Sequence, residues 1–172
     1  THLEKWEINS DKIKCIFKNN IILTKKIIFC TNGFLRSLKV KKNYSFPLTL
    51  TASLTRPLSN SEYENIGRPK EWGVLPIRPM GATIRMTKDK RILIRNTAEL
   101  SNPNNFSSER LETRKKIHEK GIKKRFPSLP NNIIQSTWSG VVCRSRNGSQ
   151  IFKKINDNIY VAGCYNGSGI GT

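Results

Sequence analysis

Residues 159–172 read Ile-Tyr-Val-Ala-Gly-Cys-Tyr-Asn-Gly-Ser-Gly-Ile-Gly-Thr, an apolar run that passes straight into a glycine-rich segment. Ile159 to Ala162 suit a short strand, and Gly163, Gly167, Gly169 and Gly171 follow it at close spacing. Glycine tolerates positive φ and lets a backbone come close to a ligand. A strand that runs into such a loop usually opens a helix, whose first N–H groups are free to receive a charged or polar partner. That helix does not follow here, so the chain reads as a fragment that stops just after a cofactor-facing loop.

The 172 residues are about one domain's worth of chain, and a hydrophobic fraction of 36% with seven Phe and three Trp is enough to build a core. No run reaches the roughly 20 apolar residues of a spanning helix. The first residues are polar and of mixed charge, unlike a secretory leader. Cys15, Cys30, Cys143 and Cys164 form no CxxC pair, and the first three sit in apolar runs where free cysteine behaves as a small hydrophobe. They read as reduced and structural, in a cytoplasmic protein. His2 and His118 are the only histidines and lie near no cysteine pair, so no metal site is expected.

A net charge of +19 raises the question of nucleic acid. Its distribution argues otherwise. Lys and Arg recur along the whole chain, at Lys25–Lys26, Arg36 to Lys42, Arg85 to Arg95, Arg110 to Arg125 and Lys153–Lys154. Lys, Asn and Ile are enriched together, as an AT-rich genome would produce. A basic nucleic-acid-binding module built on the 110–125 helix remains the alternative from another functional class, with salt-sensitive affinity as its signature.

Local patterns give α+β with a mostly antiparallel sheet and one main helix. Residues 3–30 read as strands, with a turn at Asn19-Asn20 and with Ile27 to Cys30 as a strand buried on both faces. Phe46, Leu48, Leu50, Ala52 and Leu54 are the clearest period-2 signal. Ser59 with Glu62 makes a capping box for a short helix to about Ile66. Thr83 to Thr87 and Arg91 to Asn96 form a hairpin about Lys88-Asp89-Lys90. Asn102 to Phe106 is loop, and Ser107 or Ser108 caps a helix from about Glu109 to Arg125, acidic early and basic late, weakened by Gly121 and ended by Pro127 and Pro130. Ile133 to Cys143 and Ile159 to Ala162 are the last strands, joined by a turn at Arg146-Asn147-Gly148.

Four segments in order then carry a family likeness. Cys30-Thr31-Asn32-Gly33-Phe34 resembles the "ATNGF" passage of the D-amino-acid-oxidase-like FAD-dependent oxidoreductases. Arg85-Met86-Thr87-Lys88-Asp89-Lys90-Arg91-Ile92-Leu93-Ile94 resembles their "R-x-T-x-D-x-R-x-L" hairpin. Trp138-Ser139-Gly140 with Arg146-Asn147-Gly148 resembles their late "W-x-G … D-G" strand and turn, and Tyr160 to Gly171 resembles the loop that meets the flavin. The pattern is most similar to the γ-glutamylputrescine-oxidase-like and glycine-oxidase-like subgroup. No GxGxxG fingerprint occurs, Gly163-Cys164 stands where two glycines are common, and Arg95-Asn96 stands where small glycines are common.

The resemblance implies the C-terminal half of a flavoprotein. Residues 1–40 would belong to the FAD-binding domain, 41–140 to the substrate-binding domain and 141–172 to the return into the FAD-binding domain, truncated at the flavin loop. It implies FAD as cofactor, a small amine or amino acid as substrate, hydride transfer to the flavin, and a missing N-terminal FAD-binding half without which the chain is inactive. A non-catalytic flavoprotein relative is the variant of this reading. Thr31, Asn32, Gly33, Gly167, Ser168, Gly169 and Ile170 would contact the cofactor, and Arg85, Trp72 and Tyr165 the substrate, with Met80 shaping the pocket. Trp138 is expected to be structural and His118 to face solvent. No catalytic residue is assigned, and no Ser-His-Asp set or pair of carboxylates assembles.

Overall fold

A computed structural model describes residues 2–40, 43–77, 81–100 and 107–167. The chain divides into two compact units, residues 1–47 with 142–172, and residues 48–141. Their secondary structure is α+β and largely antiparallel, with one long helix.

The first unit holds two three-stranded sheets. Strands β1 (Leu3–Asn9), β2 (Lys12–Phe17) and β3 (Asn20–Thr24) form an antiparallel meander. Strands β10 (Ile151–Asn156), β11 (Ile159–Gly163) and β4 (Ile27–Phe29) form the second sheet, in which β11 runs parallel to β4. Ile13, Cys15, Phe29, Leu35, Ile159 and Val161 are the centre of its core. Trp6 stacks tilted on Phe29, ring centroids 5.3 Å apart, and its indole N–H donates to the Leu38 carbonyl at 2.9 Å.

Two expectations fail here. β4 is not buried on both faces: Phe29 is in the core, whereas Ile28 is 64% exposed and Cys30 is exposed. Among the described residues β4 lies at the edge of its sheet, and only its Phe29 side meets other apolar groups. The turn after β9 (Ile134–Ser145) leads into the additional strand β10, in which every residue after Ile151 is exposed, so it carries no alternation to read in the sequence.

The second unit is built on a five-stranded antiparallel sheet in the order β6 (Trp72–Val74), β7 (Thr83–Met86), β8 (Ile92–Glu99), β5 (Ser45–Thr55), β9. Helix α1 (Asn60–Asn65) starts on the expected capping box, Ser59 Oγ accepting from the Glu62 N–H and Glu62 accepting from the Ser59 N–H at 2.8 Å. Helix α2 (Ser108–Arg125) is capped by Ser107, with Lys123, Lys124 and Arg125 in its last turn, as the helix dipole favours. The expected loop at 102–106 lies outside the described residues.

Ile84, Met86, Ile92 and Ile94 form the sheet's contribution to a core that includes Ile122 and Leu129. Gly121 lets α2 settle on β8, since a Cβ there would stand 2.9 Å from Ile94 Cδ1. On β5 the alternation is real, but the fully buried positions are Thr49, Thr51, Ser53 and Thr55, while Leu48, Leu50, Ala52 and Leu54 are half-buried. Hydrogen bonding explains the hydroxyl face. Thr55 Oγ1 accepts from the Ile92 N–H at 2.9 Å, and Ser53 Oγ lies 2.8 Å from Thr137 Oγ1 and 2.7 Å from His118 Nδ1.

A candidate flavin-binding turn and a substrate-side sheet

In the first unit, parallel strands β4 and β11 pair through Ile27–Ile159, Ile28–Tyr160 and Phe29–Val161, so both end at the same edge. Ligands of open α/β sheets bind outside the carboxyl ends of parallel strands. A short 3-10 turn, Asn32–Phe34, lies just beyond β4, and residues 164–167 form the turn beyond β11.

The two turns are packed tightly. A Cβ on Gly163 would stand 3.2 Å from Asn32 Cα and 3.3 Å from its N, and backbone atoms cannot yield as a side-chain tip can. The Tyr165 N–H donates to Asn32 Oδ1 at 3.3 Å. Asn32, Cys164, Asn166 and Gly167 all have positive φ, which non-glycine residues adopt only under constraint. Asn166 supplies that constraint: its carbonyl accepts from Arg144 at 2.7 Å, its Oδ1 from the Ser145 N–H at 2.8 Å, and its Nδ2 donates to the Gly148 carbonyl at 2.8 Å. Thr31 is exposed beside them, and Asn32 and Gly33 are half-buried. Ser168, Gly169 and Ile170 lie outside the described residues.

Beneath this turn, Cys143 Sγ lies 2.9 Å from Cys164 Sγ. Burial, followed by the neighbouring Cys143, pushes the Cys164 thiol up to about 12, so it stays protonated and unreactive at neutral pH. Among the described residues no group of three His, Cys, Asp or Glu side chains is arranged to hold a metal ion.

The second unit separates two of the substrate-side candidates. Trp72 is paired with Met86 and packs against Phe126, ring centroids 6.4 Å apart, on the α2 side of the sheet. Arg85 pairs with Gly73 and is exposed on the opposite side. Both border an open cavity of about 460 Å³ at the β6 edge. Tyr165 is on neither; it sits in the β11 turn with its ring 6.4 Å from Phe152. Met80 lies outside the described residues.

Trp138, read from the sequence as structural, is 43% exposed on β9. One further expectation is corrected. His118 does not face solvent: it is 0% exposed, between Ser53 and the Arg114 turn of α2. Burial first, and the Arg114 charge second, lower its pKa to about 4, which keeps the ring neutral. The Ser53–His118 contact has the distance of a nucleophile–base pair but no access to a substrate, so it is structural.

Residues 4–172 match the sequence profile described as DAO, FAD-dependent oxidoreductase. The chain belongs to this family. No curated protein sequence matches it. Among solved structures it is similar to L-proline dehydrogenase from P. horikoshii (TM-score 0.66, 19% identity, covering 98% of this chain and 45% of that one). It is also similar to glycine oxidase from Bacillus cereus (0.67, 15%, 94% and 43%) and to iminodiacetate oxidase from Chelativorans sp. BNC1 (0.68, 13%, 96% and 44%). At these identities the likeness is one of fold. The chain spans less than half the length of each of these three relatives.

In a DAO-family chain the β4 and β11 turns fit a flavin on structural grounds. They adjoin the carboxyl ends of parallel strands, and Gly163 leaves no side chain between them. Local sequence pointed to Thr31, Asn32, Gly33 and Gly167. It did not point to Gly163 as a packing glycine or to Asn166 as the brace, although Asn-Gly at 166–167 is a turn signal.

Proposed function

We propose that this chain is the C-terminal portion of a flavoprotein, of the glycine-oxidase-like and γ-glutamylputrescine-oxidase-like kind, that oxidises the C–N bond of a small amine or amino acid. The observation that carries this reading is the close packing of the Asn32 and Cys164–Gly167 turns at the ends of two parallel strands, in a chain that matches the family over nearly its whole length. FAD, when bound, would supply the acceptor for the hydride. The protein's part is to place and polarise it. Thr31, Asn32 and Gly33 would line the nucleotide side, and the Gly167 turn would meet the flavin edge where negative charge gathers on reduction; Ser168, Gly169 and Ile170, assigned to the same edge, lie outside the described residues.

Residues 41–140 serve as the substrate side and residues 1–40 and 141–172 as the cofactor side in this reading. Arg85 faces the substrate, because a guanidinium pairs bidentately with a carboxylate. In this reading turnover needs a pyrophosphate-binding GxGxxG half, a motif that the 172 residues do not contain. The visible absorption spectrum of the protein expressed from the whole reading frame tests this. A flavin band that bleaches under nitrogen with added amines supports it; no flavin band after incubation with FAD defeats it.

A further inference from the structure

Four arginines of the second unit each meet a carboxylate. Arg56 binds Glu62 at 2.6 Å, Arg91 binds Asp89 at 2.7 Å, Arg68 binds Glu64 and Arg114 binds Glu99. Arg85 and Arg95 do not. Among the described residues Arg85 makes no hydrogen bond or ion pair, and Arg95 makes one side-chain hydrogen bond, donating to Thr83 Oγ1 at 2.7 Å.

These two share a face. Arg85 pairs with Leu93, and Arg95 pairs with Thr83 on one side and Ala52 on the other. Arg85 and Arg95 are therefore diagonal neighbours on adjacent strands, at a spacing of roughly 7–8 Å. Ile84, Met86, Ile92 and Ile94, which alternate with them, are buried on the α2 side, so the arginines lie on the side that α2 does not cover. Their neighbours there are Gly73, Thr83, Leu93, Ala52 and Leu54, none of them acidic. Glu71 borders the cavity beside Arg85 without an ion pair to it.

A β-bulge keeps Glu99 off this face. Strict alternation from Leu93 and Arg95 would return Glu99 to the arginine side. The register shifts between Thr51 and Ala52, which pair with Thr97 and Arg95 and leave Asn96 as the extra residue. The side-chain parity inverts there, Glu99 falls on the α2 side, and Arg114 takes it. Two like charges on neighbouring strands without a counter-ion cost stability, so a face that also turns Glu99 away and leaves Glu71 unpaired with Arg85 is suited to an anion from outside.

We infer that Arg85 and Arg95, the latter oriented by Thr83, form a carboxylate-binding site on this sheet face, and that the ligand is a small amine bearing two carboxylate groups. Each guanidinium offers a bidentate fork, so two carboxylates match the two charges where one would leave a cation bare. That the ligand is also the substrate rests on the function proposed above; the binding itself does not.

The test is a titration of the chain with racemic glutamate, glycine and propylamine, which carry two, one and no carboxylates, followed by arginine side-chain NMR signals. Glutamate is expected to move two arginine signals, to bind at least about tenfold more tightly than glycine, and to lose at least about tenfold in affinity in Arg85→Gln and again in Arg95→Gln. Arg95→Lys, which keeps the charge and removes the fork, should show a smaller loss, and Arg125→Gln none. Equal affinity for glutamate and propylamine, or the same loss in Arg125→Gln, would overturn the site. In the whole protein, a flavin bleached as readily by propylamine as by glutamate defeats this inference and leaves the oxidase reading standing. Arginine-dependent glutamate binding in a protein that never takes up flavin does the reverse.

Discussion

The two faces of the five-stranded sheet obey opposite electrostatic rules. Toward α2 the polar groups are largely matched: Ser53 to His118 and Thr137, Thr55 to the Ile92 amide, Arg114 to Glu99. On the other side, Arg85 and Arg95 stand among apolar and small strand neighbours, and among the described residues neither forms an ion pair. Burial accounts for the first rule, since an unmatched polar group there is costly. The second has no stability rationale, and unbalanced charge on an ordered face is where function is to be sought. Thr51 Oγ1, Asn96 Oδ1 and His118 Nε2, buried without a partner among the described residues, are the exceptions on the matched side.

Alternating residues of β8 give the sharpest way to break this contrast. Ile94→Ala, on the α2 side, should cost about 3 kcal/mol in denaturant unfolding, whereas Leu93→Ala, next to it on the arginine side, should cost no more than about 1 kcal/mol. Equal losses would mean that both faces are core.

Acid should act through the matched face to a similar extent. In the unfolded chain His118 takes up a proton near 6.5, while the folded protein refuses it until about 4. The unfolded state binds more protons between those values, so stability falls by about 3 kcal/mol as pH drops from 6.5 to 4 and levels off below. His118→Gln should flatten that part of the stability–pH curve; an unchanged slope in the variant would place the proton uptake elsewhere.

Matched and unmatched arginines differ more modestly. The Arg56 hydrogen bond is the main reason that Glu62 is held down at about 2, against burial that opposes it. Its contribution is present above the ordinary 4.5 and is lost as pH falls toward 2. Glu62→Gln should lower stability at neutral pH by about 1 kcal/mol, discounted because Arg56 is partly in water. Arg85→Gln should change it by less than about 0.5 kcal/mol, and in the stabilising direction, because a repulsion is removed. A loss of stability in that variant would mean that Arg85 has a structural partner.

Much of this architecture was legible where the rule is local. The Ser59–Glu62 box, the Ser107 cap and basic end of α2, and the Thr83–Asn96 hairpin about Lys88-Asp89-Lys90 follow from spacing within a few residues, although β8 runs on to Glu99. β10 escaped because Phe152, Lys153 and Lys154 all lie on an exposed strand, and three-residue β6 is too short to show a period. Of the candidate cofactor residues, Asn32 is brought against Gly163 and Tyr165, while the substrate candidates Arg85, Trp72 and Tyr165 are dispersed over two sheet faces and a turn.

Sequence alone determined the family, both helices and most of the strands, and the capping and turn residues between them, because motif spacing and capping are properties of neighbouring residues. Which side of each strand would be buried was decided only in the folded sheet. Hydropathy favours Leu48, Leu50 and Leu54 for the interior of β5, yet the hydroxyls won, because α2 brings His118 within hydrogen-bond distance of Ser53. Likewise nothing local distinguishes Arg95 from any other arginine in so basic a chain. It takes the register shift at Asn96, which turns Glu99 toward Arg114, to leave Arg95 beside Arg85 with their charge unanswered.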